Sequence, residues 1–473
     1  MRAARASHAV GVFVYRSTMV GIFSASIERT AARVRHGELG ARDLTERLLA
    51  RIARLEPTLH AHATVTAELA LEQAAAVDAD RARGRALGAL AGVPMGLKDI
   101  ISAAGAPTHV GSRALRNWRP GGEAAVARRL REAGAVLIGK HQTTEAACGA
   151  HHPTVDPPRN PWHRDAWTGV SSSGSGVAVA AALAFGAFGS DTGGSIRFPA
   201  HCCGLVGLKP SYGAIPLDGV FPLAPRFDHV GPLARSVGDA ALLWAVASAG
   251  DTMAPAWRPP PGRLGLRLGY DEAWCGDDVA APVAATLREA AAILCAAGAT
   301  FVPVAIPRLG ARADDWLALT ACAARNAHAA TYPARAADYG PALSALLDYG
   351  ATLDSAAIEH AHRHVADYAR QFAHVFDSAD VLLSPVLHGL TPSRTEGARQ
   401  MRSAGLRRFV AFTAPANLSG YPTLSLPGGH DTLGTPWCYQ LVGRHGGERL
   451  LFDAAHALER ARPWPLVAPD FAD

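Results

Sequence analysis

Apolar residues recur at helical spacing early in the chain. Leu44, Leu48, Ile52 and Leu55 fall on one face, with arginines and acids opposite. The pattern is helical from Ser24 to about Ala86. It predicts one helix that Pro57 ends and a second, alanine-rich one from Glu68 to Arg83. The period then changes. Gly92-Val-Pro-Met-Gly-Leu-Lys-Asp-Ile-Ile101 reads as a strand with Pro94 near its start, Val93, Met95 and Leu97 on one face and Lys98 on the other. A helix from Glu123 to Ala133, closed by Gly134, leads into a buried strand at Ala135–Ile138, and this helix-then-strand order is the α/β signature. A helix at Val177–Ala184 and a strand at Phe185–Ser190 repeat it. Beyond a proline-rich link at Pro255–Pro261, helices are expected at Ala281–Ala297, Asp314–Ala330 and Ser355–Phe376. Strands follow at Val381–Leu383, Thr423–Leu426 and Cys438–Val442, and a helix at Glu448–Arg460 closes the fold. There is no internal repeat. The expected organisation is one mixed α/β domain over residues 24–470, with a helical insert at about 310–375.

Composition narrows the function classes. With 49% apolar and only 18% charged residues in 473, the chain can bury a large core, as a compact enzyme does. A net charge of +5 with scattered arginines gives no basic patch and argues against a nucleic-acid partner. No stretch approaches the roughly 18 apolar residues of a membrane span, so no membrane partner is expected. Seven cysteines without a C-x-x-C pair, two of them the adjacent Cys202 and Cys203, indicate a reduced, cytoplasmic protein. Residues 1–23 carry arginines and no acid, but their apolar run is broken at Tyr15-Arg16-Ser17. They read as a ragged extension, with Met19 as the initiator, rather than as a targeting peptide. Of the 46 basic residues only Lys98, Lys140 and Lys209 are lysines. Arginine cannot lose its proton in a protein and lysine can, so a lysine that persists among arginines points to a task arginine cannot do. All three lie in the most glycine-punctuated part of the chain.

Two serine- and glycine-rich segments carry the candidate chemistry: Gly169-Val-Ser-Ser-Ser-Gly-Ser-Gly176 and Gly189-Ser-Asp-Thr-Gly-Gly-Ser-Ile-Arg197. A flexible linker would not run straight into an alanine helix. Neither phosphate-loop spacing nor the Gly-x-Ser-x-Gly nucleophile elbow is present, so a serine enzyme here needs another base. In Asp191-Thr-Gly-Gly-Ser195 the paired glycines allow a tight turn with unobstructed N–H groups. Those of Thr192, Gly193, Gly194 and Ser195 are placed to converge on the oxygen of a tetrahedral intermediate. Asp191 and Arg197 flank the turn and are expected to support its shape.

These segments, with Gly-Val-Pro-Met-Gly-Leu-Lys98-Asp, Cys203-Gly-Leu-Val-Gly-Leu-Lys-Pro-Ser-Tyr-Gly213, Asp228-His-Val-Gly-Pro-Leu-Ala-Arg-Ser-Val237, Thr413-Ala-Pro-Ala-Asn-Leu-Ser-Gly and Gln440-Leu-Val-Gly, resemble the amidase signature family in the family's order. The resemblance spans nearly everything after residue 24 and is densest from 160 to 240. It implies a central twisted mixed β-sheet with helices on both faces. It also implies Ser195 as nucleophile, Ser171 as a bridging serine held by a cis peptide, and Lys98 as base. Buried beside hydroxyls and away from acids, such a lysine loses its proton and can accept another. The departures are Val170 and Ser173, which stand where many members have glycine, and His141-Gln142 where Thr-Asn is common.

The implied activity is hydrolysis of small or aryl amides, with esters and carbamates as further substrates, by a monomer or homodimer without cofactor or metal. The alternative is the glutaminase subunit of a tRNA-dependent amidotransferase. That subunit usually has Gln where this chain has Phe198, and its run between the Lys-Pro-x-Tyr-Gly and Asp-x-x-Gly-Pro motifs is missing here. A binding protein on a dead hydrolase fold is disfavoured, because all three catalytic positions are retained. Lys140 and Lys209 read as structural. His360 and His364 lie one helical turn apart, but with no third ligand in view they read as a solvated helix face. His151, His152, Trp162 and Trp167 are candidates for the pocket rim, and loop packing explains them equally well. An apolar pocket is expected near Met95, Phe198, Phe221 and Trp437.

Overall fold

The computed structural model describes residues 21–249, 257–259, 261–401 and 403–472. Most of the 1–23 extension, Met19 included, and residues 255, 256 and 260 of the proline-rich link lie outside them.

Eleven strands among the described residues form one sheet. They are β1 His62–Val65, β2 Pro94–Lys98, β3 Val136–His141, β4 Gly186–Asp191, β5 Val206–Lys209, β6 His229–Ala234, β7 Arg267–Tyr270, β8 Thr300–Pro303, β9 Val381–Pro385, β10 Thr423–His430 and β11 Pro436–Gly443. Their spatial order is β1-β3-β2-β4-β6-β5-β10-β11-β9-β7-β8. β3-β2-β4 and β9-β7-β8 run parallel, while the strands between β4 and β9 pair antiparallel. Neighbouring residues of a strand point to opposite faces, yet every residue of β2, β4, β6 and β11 is buried. Both faces of the central sheet are therefore covered. Among the described residues, no helix is long and apolar enough to cross a membrane.

Seven of the expected helices form within a few residues of their expected bounds: Ala41–Leu59, Ala67–Ala82, Ala125–Glu132, Ala281–Ala296, Arg312–His328, Ser355–Val375 and Glu448–Ala461. Three expectations are corrected. Pro57 does not end its helix, which runs to Leu59 and stops where His60 turns left-handed (φ 50°). The helix expected from Val177 begins at Ser173, so half of the serine-glycine segment forms its first turns. β1, β5, β6, β7 and β8 were not anticipated. Four of these are only four residues long, and the fifth, β6, is buried along its whole length and contains Gly231 and Pro232, so none shows a clear alternation.

β2 and β4 are parallel neighbours, and Leu97 lies opposite Phe188. Lys98 and Asp191 are thereby the last residues of adjacent parallel strands. The carboxyl end of such a pair is where open α/β sheets place their ligands.

Candidate active site

At the end of β2, Lys98 is fully buried. Its Nζ is hydrogen-bonded to Ser171 Oγ and, at 2.8 Å, to Ser190 Oγ on β4. Among the described residues no carboxylate reaches ion-pair distance of it. Burial lowers its pKa from 10.5 to about 7, a drop that Asp191 and Asp228 oppose from further away. The other two lysines differ. Lys140 pairs with Asp99 at 3.2 Å and bonds Thr108 Oγ1 at 2.7 Å, and Lys209 bonds the Pro210 carbonyl at 3.0 Å.

Ser171 stands in the loop before the Ser173–Ala180 helix. The cis bond expected there is absent: among the described residues the only cis peptide precedes Pro333. Ser171 instead turns the chain through a left-handed φ of 45° on trans bonds, a conformation sparsely allowed for a residue with a Cβ. The loop packs on β4 at Gly189, where an added Cβ would lie 2.6 Å from Ser172 Oγ. Ser172 Oγ donates to the Ser190 carbonyl at 3.2 Å. Ser172 N–H donates to the Ser195 carbonyl at 3.3 Å, bringing the two serine segments together. Ser195 Oγ bonds no other described residue and keeps 9% exposure.

The turn from Asp191 to Ser195 is organised by one buried carboxylate. Asp191 accepts from Arg197 Nε (3.0 Å) and Nη2 (2.9 Å), from Asn417 Nδ2 (2.9 Å), and from the N–H groups of Gly194 (2.8 Å) and Ile196 (3.1 Å). Burial alone would raise its pKa, but Arg197 and Asn417 hold it well below the carboxylate range. The expectation for Gly194 is corrected here: its N–H is already spent on Asp191, so it does not join the donors left for an oxyanion. Those of Thr192, Gly193 and Ser195 have no acceptor among the described residues. The carbonyls of the same turn are tied back. Trp316 Nε1 donates to Thr192 O at 3.0 Å and Thr413 Oγ1 to Gly193 O at 2.6 Å. Thr192 Oγ1 donates to Asp228 Oδ1 at 2.6 Å.

The comparisons with known proteins establish the family. The Amidase family model matches residues 43–452. The chain belongs to the amidase signature family. It is 39% identical over 458 residues to AmiD of Mycobacterium tuberculosis, classed by name among amidases, covering 93% of this chain and 94% of that one. It is 34% identical over 471 residues to the A subunit of the Glutamyl-tRNA(Gln) amidotransferase of Thermosynechococcus vestitus, covering 91% and 97%. The solved structure of 6-aminohexanoate cyclic dimer hydrolase superposes with a TM-score of 0.84 at 30% identity, over 95% of this chain and 99% of that one.

Within this amidase-signature fold, residues not singled out from sequence complete the site. Ser190, Asp228, Thr413 and Asn417 sit inside motifs quoted above, but nothing local shows what they touch. Trp316 carries no motif at all, and only the fold lays its indole on Gly193. Of the four apolar residues expected at the pocket, Phe198 alone meets the turn. Phe198 packs against Phe409 (centroids 4.3 Å, planes tilted by 34°), with Trp167 at 6.4 Å. Phe409 also lines a cavity of about 430 Å³ with Leu387, His388 and Leu390. Met95 is buried against Gly186, Phe221 edges onto Trp118 and His328, and Trp437 covers the Gly428-Gly429 bulge of β10. Nearness to a motif in sequence did not determine which way these side chains point. His151 Nε2 meets Ser173 Oγ at 3.1 Å, and burial lowers its pKa to about 4. His152 is bonded within its own loop to Thr154, and Trp162 donates to Cys203 O at 2.8 Å.

Gly194 has φ 134°, and a Cβ there would lie 2.4 Å from the Phe198 ring. Gly194→Ala is expected to cost about 1–3 kcal/mol of stability through backbone strain and overlap. It should also lower kcat/KM by displacing the turn. Thermal unfolding and steady-state rates on the same preparation check both.

Proposed function

We propose that this amidase-signature hydrolase cleaves the C–N bond of small or aryl amides through an acyl-enzyme on Ser195, with esters and carbamates as further substrates. The observation that carries this reading is Lys98, buried against two hydroxyls with its pKa lowered to about 7. Near neutral pH a large fraction of that amine is uncharged and able to accept a proton. Ser195 Oγ attacks the carbonyl carbon while its proton passes to Ser171 Oγ, whose own proton moves to Lys98 Nζ. The carbonyl oxygen, now negative, takes the N–H groups of Thr192, Gly193 and Ser195, and such donors act most strongly where water is excluded. Collapse of the intermediate breaks the C–N bond, and the leaving nitrogen takes the proton back along the same two groups. Water then attacks the acyl carbon, its proton passing through Ser171 to Lys98; collapse breaks the ester C–O bond, the proton returns by the same groups to Ser195 Oγ, and the acid is released. A hydrogen bond between Ser195 and Ser171 is expected to tighten only with substrate in place, as catalytic hydrogen bonds commonly do. The wall made by Phe198, Phe409 and Trp167 beside Gly194 supports an apolar or aryl substrate group.

The amidotransferase reading is favoured by the 34% identity to the Thermosynechococcus vestitus protein. Phe198 opposes it, since an aromatic ring packed against Phe409 offers no hydrogen bond to a glutamine amide.

Labelling with a sulfonyl fluoride, followed by peptide mapping, tests the mechanism. A single adduct on Ser195, lost together with turnover in Ser195→Ala, is expected. Unimpaired turnover in Ser195→Ala would reject the assignment. A panel of anilides, primary amides, esters, carbamates and glutamine separates the two substrate readings.

A further inference from the structure

The His360/His364 pair gains in the fold the third ligand that the sequence did not reveal. Asp315, on the Arg312–His328 helix, faces both histidines on the Ser355–Val375 helix, and one ligand atom from each of the three lies within 4.8 Å of the others. The two imidazoles are spaced i, i+4, which puts them on one helix face with ring centroids 3.7 Å apart. His364 Nδ1 stands 3.3 Å from Asp315 Oδ2. Two ligands bound tetrahedrally at zinc's usual ~2.0–2.1 Å are about 3.3 Å apart, so that edge is already at the length an ion needs. The Asp315 side chain is only 13% exposed. In a chain with 43 arginines and three lysines, its ion-pair partner among the described residues is His364 rather than an Arg or Lys. Arg407 takes the neighbouring Asp314 instead.

We propose that Asp315, His360 and His364 form a site for a borderline divalent transition-metal ion, with zinc the best match. Two imidazole nitrogens and one carboxylate suit zinc, cobalt or nickel better than the all-oxygen preference of magnesium or calcium. His360 is exposed, which leaves room for water as a fourth ligand. The ion ties together the two helices that meet beside Trp316, the residue that donates to Thr192 O. It stands apart from the proposed acyl-transfer chemistry and holds whether or not Lys98 is the base.

The test uses the full chain, stripped with a chelator and then dialysed against Zn²⁺ or Co²⁺. One zinc per chain is expected. Bound cobalt should show visible d–d bands of a low-coordinate site, without the thiolate charge-transfer bands that half-buried cysteines would give. His360→Ala, His364→Ala and Asp315→Asn, each checked for native circular dichroism, should weaken zinc by more than the roughly 10–100-fold that loss of an outer partner costs. Failure of the native chain to bind zinc, or binding that survives in both histidine variants, overturns the site. If Asp315→Asn misfolds, the two exposed-face histidine variants decide.

Discussion

Lys98→Arg is expected to be as inactive as Lys98→Ala, although it keeps the positive charge. The Lys98 amine is enclosed by Ser171 and Ser190, and among the described residues no carboxylate pairs with it to hold its proton. Its pKa near 7 comes first from burial, with Asp191 and Asp228 opposing the shift. A guanidinium stays protonated under any condition a folded protein survives, so it cannot take the proton of a serine. Removing a general base typically costs ~10²–10⁴-fold in kcat, and the arginine variant should lose at least that much. The native enzyme should report the same group through pH. The working form is the neutral amine, so kcat/KM should fall by about tenfold per unit as pH drops below about 7, and level off above it. A charge-only role for Lys98 predicts the opposite on both counts, namely an active arginine variant and a native rate that falls as pH rises through about 7 and the amine loses its charge. Steady-state rates from pH 5 to 9 on both proteins, with circular dichroism to confirm folding, separate the two.

What the sequence revealed of this architecture follows from how far each signal travels along the chain. Helices such as Ser355–Val375 carry their amphipathic face in their own residues, so periodicity alone locates them. β2, β3 and β4 are bounded by glycine or proline and were legible as short apolar runs. β5 and β7 are four residues long and become strands only because neighbours pair with them. The lysine economy marked Lys98 together with Lys140 and Lys209, and the family resemblance chose among them, yet the bond of Lys98 to Ser190 depends on β2 and β4 being parallel neighbours. Asn417 reaches Asp191 across 226 residues of chain, and Trp316 reaches Thr192 across 124. No local pattern encodes such contacts. The cis bond inferred at Ser171 failed for a related reason. A resemblance transfers the need for a turn, and here a left-handed residue on trans bonds provides it.

Asp191→Ala should be among the most destabilising single changes in the chain, because it strands a cation. Arg197 is fully buried, and its other acceptors are the Thr413 carbonyl (2.9 Å), Gln440 Oε1 (3.3 Å) and Asn417 Oδ1 (2.7 Å), all neutral. Deleting one partner of a buried pair costs about 3–5 kcal/mol, mostly as the penalty of the charge left behind. Arg197→Met should cost a similar amount, since it leaves the Asp191 carboxylate without its cation. The double variant should be less destabilised than the sum of the two, because neither charge then remains unpaired. The pH dependence has a definite sign. Burial pushes the Asp191 pKa up, but Arg197 and Asn417 more than reverse that and depress it. The pair's contribution is therefore fully present above the unfolded aspartate value near ~3.9 and is lost as pH falls towards the depressed native one. Activity should disappear in Asp191→Ala even where the fold survives at low temperature. The N–H groups of Gly194 and Ile196 lose their acceptor, and the turn that carries Ser195 loosens. Denaturant midpoints for the two single variants and the double variant measure the coupling. Single variants that unfold within about 1 kcal/mol of the native protein, an ordinary cost for a point mutation, would show that the ion pair is not what holds this turn.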